Sequence, residues 1–184
     1  MIRTAQGGTP AVTEEQLKLL DIPGVTPENL PAIIEAIKNT PDDGTGVDTI
    51  AELKKVVSDT VAAAQAAVNV ISDAAQANNA TPTTPAVDVY KAAGVTGVAD
   101  SNLALINDIL NDADVTGASV DTVKEIQDIV DAVNKIVNAA DGVAGNNSLA
   151  LTPEDYAKVG VNNIDSPAEA SLLNQVIDLS LIHI

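Results

Sequence analysis

The sequence predicts an all-α protein made of tandem three-helix bundles, with the third copy truncated after two helices, and three observations predict it. The chain repeats itself: Val47-Asp48-Thr49-Ile50-Ala51-Glu52-Leu53-Lys54-Lys55-Val56-Val57 lies over Val120-Asp121-Thr122-Val123-Lys124-Glu125-Ile126-Gln127-Asp128-Ile129-Val130 at an offset of 73. With no gap, that offset also lays Ile22, Val25, Asn29, Leu30, Ile33 and Ile37 over Val95, Val98, Asn102, Leu103, Ile106 and Leu110. A third copy begins at Thr152, where Tyr156-Ala157-Lys158-Val159-Gly160-Val161 matches Tyr90-Lys91-Ala92-Ala93-Gly94-Val95 at an offset of 66. Within the copies, apolar residues recur at helical spacing. Hydroxyl residues followed three positions later by Glu or Gln supply N-terminal capping boxes ahead of those apolar runs.

Each copy reads as three helices. The first is short: Thr13-Glu14-Glu15-Gln16 is a capping box, and Thr152-Pro153-Glu154-Asp155 sets a hydroxyl before a proline suited to the first helical position. Gly94 and Gly160 fall where a left-handed residue ends that helix, and the first copy has Asp21 there. The second helix opens at Asn29, around Ser101-Asn102, and at Ser166, where Ser166-Pro167-Ala168-Glu169 brings cap, proline and carboxylate together. Its apolar positions in the first copy are Leu30, Ile33, Ile34 and Ile37. The third helix starts with Thr49-x-x-Glu52 and Thr122-x-x-Glu125, and its stripe runs Ile50, Leu53, Val57, Val61 in one copy and Val123, Ile126, Val130, Val133 in the next.

The organisation expected is an extension over 1–12, a first repeat over 13–78, a linker over 79–84, a second repeat over 85–141, a linker over 142–151, and a partial third repeat over 152–184. The first linker is rich in Pro and Thr and reads as extended; the second is rich in Gly and Asn and reads as more flexible. A bundle of about 60 residues buries only roughly 60% of its unfolded surface, so neighbouring repeats are expected to lend each other stability. In the third copy, Asp178-Leu179-Ser180-Leu181-Ile182-His183-Ile184 stands where the second copy has the polar loop Asp112 to Ala118. The apolar tail looks foreign to the repeat, so Ser180–Ile184 is read as a junction artefact of a fragment.

Composition narrows function. The 184 residues carry 9 Lys+Arg against 26 Asp+Glu, a net charge of -17, with no Cys, Trp or Phe and a single His, His183, in the tail. No disulfide framework or cysteine-based metal site is open to such a chain, and with its one His in a terminal tail Ser-His-Asp chemistry and a His-ligated metal are disfavoured. One Arg (Arg3) and two Tyr give nothing with which to neutralise phosphates or stack bases, which disfavours nucleic acid. Hydrophobic residues make up 46% and mean hydropathy is +0.16, too apolar for a disordered acidic tail. The most apolar stretch, Val61 to Ile71, is interrupted by Gln65 and Asn69 and falls short of a membrane span. The N-terminus has no apolar segment of the secretory-signal kind.

The order of short helix, Gly-Val turn, Ile-rich helix and Val-Asp-Thr-x-x-Glu helix resembles the GA-like modules of large bacterial surface proteins, which are similar to albumin-binding GA modules. Tyr90–Val98 with Asn102–Leu110, Val120–Val130, and Tyr156–Ile164 carry the resemblance, which covers most of residues 13–178. It implies a secreted or surface-displayed array, part of a biofilm adhesin. It does not carry albumin binding with it. The second helices, Asn29–Asn39 and Asn102–Asp112, hold no aromatic and only Lys38, whereas interface energy concentrates in Trp, Tyr and Arg.

Other candidate sites have structural readings. Asp42-Asp43-Gly44-Thr45-Gly46-Val47-Asp48 offers oxygen donors for Ca²⁺ but lacks EF-hand spacing and its closing Glu, and Asp112–Asp121 shares little of the pattern. Capping and turn-forming Asp explain both. Tyr90 and Tyr156, where the first copy has Leu17, read as packing residues with hydroxyls at the rim. The expected function is a non-catalytic spacer and display stalk of a cell-surface adhesin, with no catalytic, cofactor or metal residues and no cofactor. Its expected partners are neighbouring repeats of the same chain, with no membrane insertion. The alternative is a module holding a host or matrix protein on the second-helix face.

Overall fold

The computed structural model describes residues 12–41, 46–75, 83–140 and 150–179. Among these residues the protein is all-helical, without strands. The helices are α1 (Glu14–Leu19), α2 (Leu30–Lys38), α3 (Ile50–Ala74), α4 (Val87–Ala93), α5 (Asp100–Leu110), α6 (Val123–Ala139), α7 (Pro153–Lys158) and α8 (Pro167–Asp178), with a 3₁₀ turn at Gly117–Ser119 before α6.

The chain forms two compact units, one of residues 1–68 with 92–94, the other of residues 69–91 with 95–184. In the first, Leu17, Ile22, Ile33, Ile37, Leu53 and Val57 make one apolar core, flanked by Leu20, Leu30, Ile34, Val56 and Val61. Burial of each such Leu or Ile is worth about 1.5–3 kcal/mol, which is what holds helices of six and nine residues that would not persist in water. The second unit is arranged around α6, which packs on α5, α7 and α8, while α7 packs on α8. The last residues of α3 belong to this unit: Ile71, Ala74 and Ala75 are buried, and the Ser72 hydroxyl donates to the Gly117 carbonyl at 2.8 Å.

Local geometry recurs from copy to copy. The first helix of each ends in the same left-handed residue, Asp21 (φ 54°), Gly94 (91°) and Gly160 (80°). Beyond it, Ile22, Val95 and Val161 return their N–H groups to the carbonyls of Leu17, Tyr90 and Tyr156 at 3.3, 2.9 and 3.0 Å, the 6→1 bond of a Schellman motif. A second left-handed residue follows three positions on, Gly24 (81°), Gly97 (81°) and Asn163 (67°). Reciprocal capping boxes close at Thr13/Gln16, Thr49/Glu52, Thr122/Glu125, Thr152/Asp155 and Ser166/Glu169.

Two sequence expectations are corrected. Ile50, placed in the core stripe, is 56% exposed, because it stands in the first turn of α3 and burial begins one turn later, at Leu53. The second helix of the first copy opens at Asn29 as expected, and a Thr26/Asn29 pair braces the turn before it: Thr26 N–H donates to Asn29 Oδ1 (2.9 Å), Asn29 N–H donates to Thr26 Oγ1 (3.3 Å), and Leu30 N–H reaches the Thr26 carbonyl. The equivalent bond in the second copy, Ala99 N–H to Asn102 Oδ1 at 2.8 Å, starts α5 at Asp100 and puts Asn102 in its first turn.

Candidate functional site

The first recurrent side-chain cluster ties helices α4 and α5, and again α7 and α8, through a Tyr–Asn pair. Tyr90 is fully buried; its hydroxyl donates to Asn107 Oδ1 at 2.8 Å, and Asn107 Nδ2 donates to the Pro85 carbonyl at 3.1 Å. Tyr156 bonds Asn174 in the same way, and Asn174 Nδ2 reaches the Leu151 carbonyl at 2.9 Å. Each hydroxyl is therefore a bonded interior group and not the rim position the sequence suggested. Burial pushes both phenols up: Tyr90 beyond any physiological range, and Tyr156, with the Asp155 charge added, to about 12. These are neutral donors that fix a helix pair, with no capacity for proton transfer near neutral pH. The first copy has Leu17 and Ile34 at these positions, both against one apolar core, so the polar pair is exchanged whole for an apolar one.

The second cluster joins the second and third copies. The amino-terminal turns of α6 bury Ile126, Ile129, Val130 and Val133, on the helix that packs on α5. Its last turns supply Ile136 and Ala139 to a core with Leu151, Tyr156, Ala170, Leu173 and Ile177. Alongside, Lys135 Nζ meets Asp155 Oδ1 at 2.8 Å, Lys158 lies 3.9 Å from Asp128, and Asn162 Nδ2 donates to Asp114 Oδ2 at 2.6 Å. Burial raises the Asp155 carboxyl, but the Lys135 bond and the Thr152 N–H and hydroxyl outweigh it and hold the group below the usual aspartate range. Thr49 and Ser166, bonded to Glu52 and Glu169, depress those carboxylates as well.

Where α6 meets α7, a half-open cleft of about 190 Å³ is bordered by Asp114, Ser119, Glu125, Asp128 and Lys158. Its Asp128 carboxylate already lies 2.7 Å from Lys124 and 3.9 Å from Lys158, so its charge is engaged in ion pairs. Among the described residues there is no group of three or more His, Cys, Asp or Glu placed to hold a metal ion. Residues 42–45 of the calcium candidate Asp42–Asp48 lie outside the described residues, as do 79–82, 142–149 and the tail Ser180–Ile184 with His183. Among the described residues, no helix is long and apolar enough to cross a membrane.

The second helices differ in what they show to solvent. Pro31, Glu35 and Lys38 face out on α2, and Asp100, Ser101, Ala104 and Asp108 on α5. On α8 the outward row is Leu172 (66% exposed), Val176 (62%) and Leu179 (65%), an apolar stripe at i, i+4 and i+7. Compared with protein-family models, curated proteins and solved structures, the chain matches none.

Proposed function

We propose that the chain is a non-catalytic repeat region of a bacterial cell-surface adhesin, acting as a spacer and display stalk. The observation that carries this reading is α6, a single helix that packs on α5 of the second copy and on α7 and α8 of the third. A helix of 17 residues runs about 26 Å, so helices of two copies packed along one rod are held in place without relying on a linker. Lys135–Asp155 and Asn162–Asp114 add polar ties along the same junction. The resemblance of the repeats to GA-like modules supports the surface assignment. The net charge of -17 suits an array whose units must stay soluble and apart from one another.

The chain contains no cysteine, so paired spin labels placed at Ser101 and Ser171 report on this junction alone. A spacer gives one narrow distance distribution between them; a broad one overturns the reading. Antibody against the chain should label intact cells of the producing bacterium, and surface protease should remove that label. Labelling only after lysis overturns the location. The second reading, a module holding a host or matrix protein, is favoured by the apolar stripe of α8.

A further inference from the structure

The polar ties between α6 and the third copy are made by side chains that the other copies do not share. Lys135 Nζ meets Asp155 Oδ1 at 2.8 Å, Lys158 lies 3.9 Å from Asp128, and Asn162 Nδ2 donates to Asp114 Oδ2 at 2.6 Å. The Asp155 side chain is only 8% exposed, so its charge is largely out of water and answered by one cation. At the offset of 73, the first copy has Ala62, Lys55 and Pro41 at the positions of Lys135, Asp128 and Asp114. At the offset of 66, the second copy has Val89, Ala92 and Thr96 at the positions of Asp155, Lys158 and Asn162. None of the charges is kept, and that of Asp128 is reversed. Core positions behave differently: Ile126 and Val130 stand over Leu53 and Val57, apolar and buried in both copies.

Copies that share a core pattern are prone to dock out of order, a characteristic failure of repeat proteins. The charges at this junction oppose it. Set on the third helix of the first copy in the same way, the third copy would bring Asp155 to Ala62 and Lys158 to Lys55, a buried carboxylate without its cation and two like charges. Set on α6, the second copy would bring Val89 to Lys135 and Ala92 to Asp128, so neither charge would be answered. Leaving one member of a buried pair alone costs more than the intact pair contributes, so such contacts discriminate more than they stabilise. We propose that Lys135 and Asp128 form an address on α6, which selects as its neighbour the copy whose first helix carries an acid at the position of Asp155 and a base at that of Lys158. Asp114 adds a preference for an amide donor at position 162. The address rests on the geometry of this junction and not on the adhesin reading, which stands if it fails.

The experiment is made in the whole chain. Asp128→Lys with Lys135→Ala gives α6 the residues of the first copy at both positions. Amide exchange across α7 and α8 should quicken at least tenfold, while α5, on which α6 also packs, keeps its rates and shows that the rod is intact. Adding Asp155→Asn and Lys158→Ala to that chain is the deciding step. The asparagine keeps an acceptor for the Thr152 N–H while losing the charge, and the alanine is the residue of the second copy. An address predicts that exchange slows again by at least threefold, because the orphaned acid and the lysine facing a lysine are both gone. Ties that only add stability predict the opposite, that four substitutions exchange faster than two, and this result overturns the proposal. Unchanged exchange of α7 and α8 in the first variant overturns it as well.

Discussion

Replacing Tyr156 by alanine tests whether the second and third copies are one cooperative structure. Tyr156 is 1% exposed, and a buried tyrosine removes about 150–250 Å² from water. At about 25 cal/mol per Å², truncation costs about 4–6 kcal/mol, in line with about 3–5 for buried aromatics replaced by alanine. It also strips Asn174 of its hydroxyl donor. Taking about 4 kcal/mol, the equilibrium for opening α7 and α8 rises about a thousandfold. Because Ile136 and Ala139 share a core with Tyr156, the closing turns of α6 should lose protection with them, although α6 belongs to the preceding copy. Native-state amide exchange read residue by residue is the assay. If α7 and α8 exchange fast while Ile136–Ala139 stays as slow as in the parent chain, the copies are independent and the reasoning about α6 is wrong.

Three further outcomes are expected. Gly97→Ala should destabilise by about 2–3 kcal/mol, since alanine at φ 81° is strained and its Cβ would stand 2.8 Å from Asn134 Nδ2; a urea midpoint equal to the parent's would contradict this. Asp21→Gly should stabilise by about 0.5 kcal/mol, the relief of a left-handed Asp (φ 54°) less the backbone entropy of glycine, and a lower midpoint counts against it. The stability gap between the chain and Asp155→Asn should be pH-dependent. Asp155 is depressed below its ordinary 3.8, so its contribution is complete above that value and disappears as pH falls through the depressed one. Urea melts at pH 7 and pH 2.5 should show the gap closing in acid; a constant gap refutes the Lys135–Asp155 assignment.

Much of this fold was legible in the chain because caps and left-handed turns are local. Thr49-x-x-Glu52 and Gly94 declare their geometry within a few residues, and the structure realises each. Thr26-Pro27-Glu28-Asn29 was equally local and yet escaped notice, although it follows the hydroxyl–proline pattern of Thr152-Pro153 and Ser166-Pro167. The Tyr–Asn pairs were hidden because Asn107 and Asn174 stand 17 and 18 residues from their tyrosines, on another helix. The dual membership of α6 was hidden for a related reason. Periodicity shows that Ile126 and Ala139 lie on apolar faces, but not that the two faces meet different helices. The α8 stripe needed three-dimensional burial, since Leu172 and Leu173 are alike in sequence and opposite in role.

A helix that packs on helices of two copies must keep its phase. Each inserted residue turns everything beyond it by about 100° and advances it by about 1.5 Å. One residue added between Val133 and Lys135 would swing Ile136 and Ala139 out of their seats and carry Lys135 away from Asp155. Seven residues would restore the heading to within about 20° while lengthening the rod by about 10 Å. The length of α6 is therefore quantised: a lineage that alters it while keeping the neighbours on both faces must do so in near-whole turns.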